Sequence, residues 1–146
     1  MLNTVVRQIA FHEFETAVHD QRRSGELTPD TIGDIWLSIQ EKSLGPAIKL
    51  ERNYASFWSY IPHFIHSPFY VYAYAFGDCL VNSLYAVYQD SNEGFVGNYV
   101  EMLRAGGTLG HKELLKPFNL DASDRNFWSK GLAMIEGFID ELENNK

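Results

Sequence analysis

From Phe69 to Gln89 only Gly77 interrupts a run of helix-compatible residues, and that run is apolar nearly all the way round. A helix of this kind has no polar stripe to turn to water, so it predicts a buried central helix against which the other elements pack. Ser67-Pro68, just before it, matches the N-cap and N1 preferences of a helix start. The flanking sequence is helical by period. Leu2, Val5, Val6, Ile9, Ala10, Phe14, Ala17 and Val18 recur at three- and four-residue steps, which predicts an amphipathic helix from residue 2 to about 23, stopped by Ser24-Gly25. Thr28 as N-cap and Pro29 at the first helical position open a second helix, carrying Ile32, Ile35, Trp36 and Ile39 and closed by Gly45-Pro46.

A short helical turn is expected around Tyr54 to Trp58, and Ile61 to Pro68, with two prolines and two histidines, reads as an ordered loop. Asn92 is the expected cap of a helix with Phe95, Tyr99, Met102 and Leu103 that ends at Gly106-Gly107. A short helix follows from His111 to Lys116, and a last one, capped by Ser123 or Asp121, carries Phe127, Trp128, Leu132, Ile135, Phe138, Ile139 and Leu142. No stretch alternates with period two between hairpin turns. The chain is therefore predicted to be all-α, a single domain over residues 1–146 with about six or seven helices.

Composition narrows the function classes. Hydrophobic residues make up 45% and charged residues 21%, a globular balance. The net charge of −7 and the scattered basic residues, with Arg22-Arg23 the one basic doublet, argue against nucleic acid as a partner. The lone Cys79 excludes an internal disulfide. The longest apolar run, Phe69 to Phe76, is too short to span a bilayer, and the first residues lack the basic and apolar regions of a signal peptide. The expectation is a soluble, cytoplasmic chain with no membrane partner.

His12-Glu13-Phe14-Glu15-Thr16 begins like HExxH, the helical motif whose two histidines bind zinc, but Thr16 stands where the second ligand belongs. His19 is two turns beyond His12, too far for the usual paired chelate, and the plain reading is a partly exposed helix face. No metal ligand is assigned. Cys79, inside the central helix and without a histidine within a turn, reads as an inert core thiol. The chemistry-bearing stretch is His63 to Tyr74, where a loop histidine precedes a helix bearing Tyr70, Tyr72 and Tyr74. A neutral imidazole or a phenol hydroxyl can donate to a peptide carbonyl or to an oxyanion. Tyrosines two apart on a helix diverge, so at most two face one cleft. The plain alternative is an aromatic core with its hydroxyls satisfied at the edge.

Three strings, in order, carry a family resemblance. Thr4-Val5-Val6-Arg7-Gln8-Ile9-Ala10-Phe11-His12-Glu13-Phe14-Glu15 resembles the segment of oligoendopeptidase F enzymes that follows their zinc-binding helices. Ile61-Pro62-His63-Phe64 with Pro68-Phe69-Tyr70-Val71-Tyr72-Ala73-Tyr74-Ala75 resembles their substrate-binding segment, and Leu103-Arg104-Ala105-Gly106-Gly107 with His111-Lys112-Glu113-Leu114-Leu115 resembles their C-terminal signature. The resemblance implies the C-terminal part of a helical zinc endopeptidase that cuts short peptides. In the full-length family the HExxH helix and a further glutamate hold zinc, and the HExxH glutamate activates the metal-bound water.

By the same resemblance His63 matches the family histidine, and His63, Tyr70 and Tyr72 are the substrate-holding residues, with His63 and Tyr72 stabilising the oxyanion. Counting from Pro68 favours Tyr72 as the stabilising tyrosine, with Tyr70 second, and Tyr74 stays open because the loop after His63 can vary in length. No zinc ligand carries over, so the chain alone is expected not to hydrolyse peptides. The helical pattern is already under way at Leu2 without a cap. It leads us to expect a portion of a longer enzyme: an excised piece, a truncated reading frame or one half of a split enzyme. The implied partners are short peptides and a zinc-bearing N-terminal portion. The alternative is a non-catalytic helical module that binds peptides or other proteins.

Overall fold

The computed structural model describes residues 2–90 and 94–145, without the side chain of Leu2. The elements are α1 (Leu2–Arg22), α2 (Pro29–Leu44), a 3-10 segment (Arg52–Tyr60), α3 (His63–His66), α4 (Tyr72–Asp90), α5 (Phe95–Ala105), α6 (His111–Leu115), a 3-10 turn (Lys116–Phe118) and α7 (Arg125–Asn144). There is no strand among the described residues, so the all-α expectation is met. Contacts divide the chain into two compact units, Met1–Phe76 and Gly77–Lys146.

The first unit is built around an aromatic core. Phe11 and Phe14 of α1, Trp36 of α2, Ile61 and Val71 are buried together, with Tyr54, Trp58 and Phe64 packed against them. The amphipathic stripes read in the sequence supply these contacts, since residues three and four apart share a helix face. Thr28 caps α2 as expected, its Oγ1 accepting from the Thr31 N–H at 3.2 Å with Pro29 in the first turn. Gly45 (φ 71) ends α2 in a conformation that disfavours any side chain. Gly33 lets the 3-10 segment approach, because a Cβ there would stand 3.1 Å from that of Ala55. The segment from Ile61 to Pro68 is more ordered than a loop, since His63–His66 close one α-helical turn.

The expected start of the central helix at Ser67-Pro68 is corrected. The helix begins at Tyr72, because Phe69 adopts φ 59, outside the helical region, and its backbone N–H donates to Glu15 Oε1 at 2.6 Å. Its burial all round is corrected too. Ala75, Cys79, Ser83 and Leu84 are buried, while Tyr72, Tyr74, Val81, Tyr85 and Tyr88 are exposed. The tyrosines that made the run look apolar carry hydroxyls that favour the wet face.

In the second unit Leu84, Leu115, Phe118 and Phe127 form the core, with Leu80, Phe95, Tyr99 and Trp128 around it. Gly131 of α7 meets α4 so closely that a Cβ would stand 2.7 Å from Ser83 Oγ and 2.8 Å from the Cys79 carbonyl oxygen. The buried Ser83 hydroxyl donates to the Phe127 carbonyl at 2.9 Å across the same contact. Gly106 (φ 53) ends α5, as the Gly106-Gly107 pair implied. Asn92, the expected cap of α5, lies outside the described residues, and Gly94 occupies the N-cap position. The cap of α7 is Asp124, whose side chain accepts from the Asn126 N–H at 2.9 Å, rather than Ser123 or Asp121. Asp121 instead accepts from both the N–H and the hydroxyl of Ser123, at 2.8 and 2.7 Å, closing the turn that precedes it.

Candidate functional site

The stretch from His63 to Tyr74 lies within the first unit and places its ring groups in two sets. His63, on the single turn of α3, has Nε2 3.0 Å from the Tyr74 hydroxyl. Tyr70 lies parallel to the His63 ring, 6.2 Å between centroids, and edge-on to Tyr74 at 5.5 Å. The turn before α4 brings these groups together: Tyr70 N–H closes on the Ser67 carbonyl, and Ala73 and Tyr74 N–H close on Tyr70 and Val71. Val71 is fully buried in the aromatic core, which anchors the segment between the two exposed tyrosines on either side of it.

Tyr72 is not in this set. It lies across the His12 ring of α1, 5.9 Å between centroids, and is half-exposed. The helical divergence expected of alternate tyrosines thus separates Tyr72 from Tyr70 and Tyr74. Tyr74, the tyrosine left open by the sequence, is the one that bonds His63. Among the described residues the Tyr74 hydroxyl has a partner, whereas no hydrogen bond engages that of Tyr72.

The arrangement fixes what the groups can do. If the Tyr74 hydroxyl donates to His63 Nε2, the neutral imidazole carries its proton on Nδ1 and can donate to a carbonyl oxygen. The Tyr72 hydroxyl can donate separately to another oxygen. Both are binding and charge-stabilising roles.

α1 supplies the support that sequence reasoning missed. His12, Glu15 and His19 lie on one face at three- and four-residue steps, and all three meet the segment 69–72. His12 meets Tyr72, the Glu15 carboxylate takes the Phe69 N–H, and the His19 ring packs on that of Phe69 at 4.7 Å. The HExxH-like string is therefore part of a clasp on the tyrosine segment. Among the described residues no three His, Cys, Asp or Glu side chains group so as to hold a metal ion. The zinc implied by the resemblance finds no fitting ligand set among the described residues.

The second unit holds a cavity of about 430 Å³, lined by Leu80, Leu84, Tyr88, Phe95 and Met102 among others, with no ionisable lining group except tyrosine among the described residues. Cys79 is a buried free thiol whose pKa is pushed up, first by burial and then by the negative charge of Asp78. A raised pKa lowers the reactive thiolate at neutral pH. Alkylation by iodoacetamide followed by mass spectrometry is expected to be slow in the folded chain and fast in denaturant. A native rate equal to the denatured rate would contradict the inert-thiol reading.

The chain belongs to peptidase family M3, whose family model matches residues 2–134. It is 30% identical over 141 residues to the Oligopeptidase PepF of Bacillus subtilis (strain 168), covering 96% of this chain and 21% of that protein. It is 33% identical over 144 residues to an Oligoendopeptidase F homolog of Borreliella burgdorferi, covering 98% and 24%. The Group B oligopeptidase PepB of Streptococcus agalactiae is 27% identical over 143 residues, covering 97% and 24%. The chain thus spans under a quarter of the length of these relatives. No solved structure matches it. No helix among the described residues is long and apolar enough to cross a membrane.

Proposed function

We propose that this chain is the peptide-holding part of a zinc-dependent oligoendopeptidase acting on short peptides, the zinc being held by a portion outside these residues. In the proposal His63, oriented by Tyr74 and flanked by Tyr70, grips the peptide backbone. Tyr72, whose hydroxyl no hydrogen bond engages among the described residues, donates to the carbonyl oxygen that gains charge during acyl transfer. The observation that carries the reading is the His63–Tyr74 hydrogen bond within a segment that membership of the family marks as peptidase sequence. A His–Tyr pair at the surface offers a donor and an acceptor suited to hydrogen-bonding a peptide amide.

The test has two arms. Titration of the chain with a short fluorescent peptide, read by anisotropy, is expected to show binding that weakens about three- to tenfold in His63→Ala, the worth of one hydrogen bond. Mixing the chain with a separately made zinc-bearing N-terminal portion is expected to yield cleavage of a quenched peptide, with Tyr72→Phe losing rate more than affinity. Binding without cleavage in any mixture would favour the non-catalytic module, and neither binding nor cleavage would overturn the proposal.

A further inference from the structure

We infer that Glu15 is a positioning residue: its buried carboxylate holds the turn at Phe69, and through that turn sets where His63, Tyr70 and Tyr74 meet. The inference deepens the peptide-holding reading and rests on it for its functional consequence, while its structural part stands alone. Glu15 is 2% exposed, on the face of α1 turned to the segment 69–72. Its Oε1 accepts from the Phe69 N–H at 2.6 Å, and its Oε2 is buried with no hydrogen-bond partner among the described residues. A carboxylate is a poor group to bury, and it is tolerated here with one strong, charge-assisted bond from a backbone N–H.

The residue that bond reaches is the one that needs holding. Phe69 has φ 59, a left-handed conformation that a bulky side chain disfavours. It is also the residue at which the run from Ser67 departs from the helix, and the very next residue is Tyr70. The His19 ring, one turn beyond Glu15 on α1, holds the Phe69 side chain at 4.7 Å, so the turn is gripped by both backbone and ring. Were Phe69 to relax to a helical φ, α4 would extend backwards and rotate Tyr70 away from the parallel stack it makes with His63. Among the described residues no hydrogen bond joins Glu15 to a member of the His–Tyr set; its bond goes to Phe69. It acts through Phe69.

The experiment compares Glu15→Ala, Glu15→Gln, Phe69→Gly and the double variant Glu15→Ala/Phe69→Gly in the full chain. One readout is the set of ring-to-ring NOEs among His63, Tyr70 and Tyr74, and the other is affinity for the fluorescent peptide. Glu15→Ala is expected to lose the NOEs and to weaken peptide binding about tenfold. Glu15→Gln, which keeps a carbonyl acceptor, is expected to retain most of both. Glycine at 69 adopts positive φ without a clamp, so the double variant is expected to recover NOEs that Glu15→Ala loses, a coupling that a merely structural role would not produce. NOEs intact in Glu15→Ala, or no recovery in the double variant, would overturn the inference. Should Glu15→Ala fail to fold, Glu15→Gln with wild-type NOEs supports the inference and Glu15→Gln with lost NOEs overturns it. If the wild-type chain binds no peptide, the peptide-holding reading fails, and the NOEs still decide the part played by Glu15.

Discussion

Trp36→Ala is expected to destabilise the first unit by about 3–5 kcal/mol, the range for removing a buried large aromatic. Trp36 is 1% exposed, and its ring meets Phe11, Phe14, Tyr54 and Phe64 at centroid distances of 5.1 to 6.3 Å. Those partners come from α1, the 3-10 segment and α3, so no single side chain can swing in to fill the space. Because ordinary domains are stable by only about 5–15 kcal/mol, the loss is a large share of the whole. Trp36→Phe should be far milder, less than about 1.5 kcal/mol, since most of the volume is kept. The buried Trp36 Nε1–H has no hydrogen-bond partner among the described residues, so its removal leaves none of them unpaired. Urea denaturation of the two variants checks both figures, and equal losses would show that the indole volume is not what matters. The Trp36→Ala effect should also reach His63, whose neighbour Phe64 is seated against Trp36.

Gly131→Ala is the second large effect, expected to cost about 1–3 kcal/mol as overpacking. The added methyl would stand 2.8 Å from the Cys79 carbonyl oxygen, a backbone atom of α4 that cannot rotate away. Ser83 Oγ, at 2.7 Å, can turn aside only by giving up its hydrogen bond to Phe127. Ser83→Ala should therefore not rescue the variant. Gly137 on the same helix has nothing within 4 Å of an added Cβ, and Gly137→Ala should be stabilising by up to about 1 kcal/mol through helix propensity. Thermal melts of the pair separate crowding from propensity, and a stabilised Gly131→Ala would mean that the two helices part at little cost.

What the sequence made legible follows the range of the interactions involved. The Thr28-Pro29 start of α2 and the glycine stops at Gly45 and Gly106 depend on groups within a few residues, and each stands where it was expected. Ser67-Pro68 offers the same local signal and is no helix start, because the decisive hydrogen bond to Phe69 comes from Glu15, 54 residues away. No local pattern carries that information. The same distance explains the site. His63 and the three tyrosines were legible as chemistry, but which tyrosine joins His63 depends on the register at which α4 begins. With the helix beginning only at Tyr72, Tyr74 lies against His63 and Tyr72 against His12. The clasp on α1 has one visible trace in the sequence, the His12-x-x-Glu15-x-x-x-His19 spacing on one helical face.

The tryptophans of the chain are shared unequally between its units: Trp36 and Trp58 belong to the first core and Trp128 to the second. Each unit therefore carries its own intrinsic fluorophore. In a Trp128→Phe variant, tryptophan emission reports the aromatic core beneath the His–Tyr cluster alone. With Trp36 and Trp58 both changed to Phe, it reports the core of the second unit alone. Comparing the two emission transitions with the helical signal in circular dichroism would reveal whether melting is one cooperative event or two, without any extrinsic label.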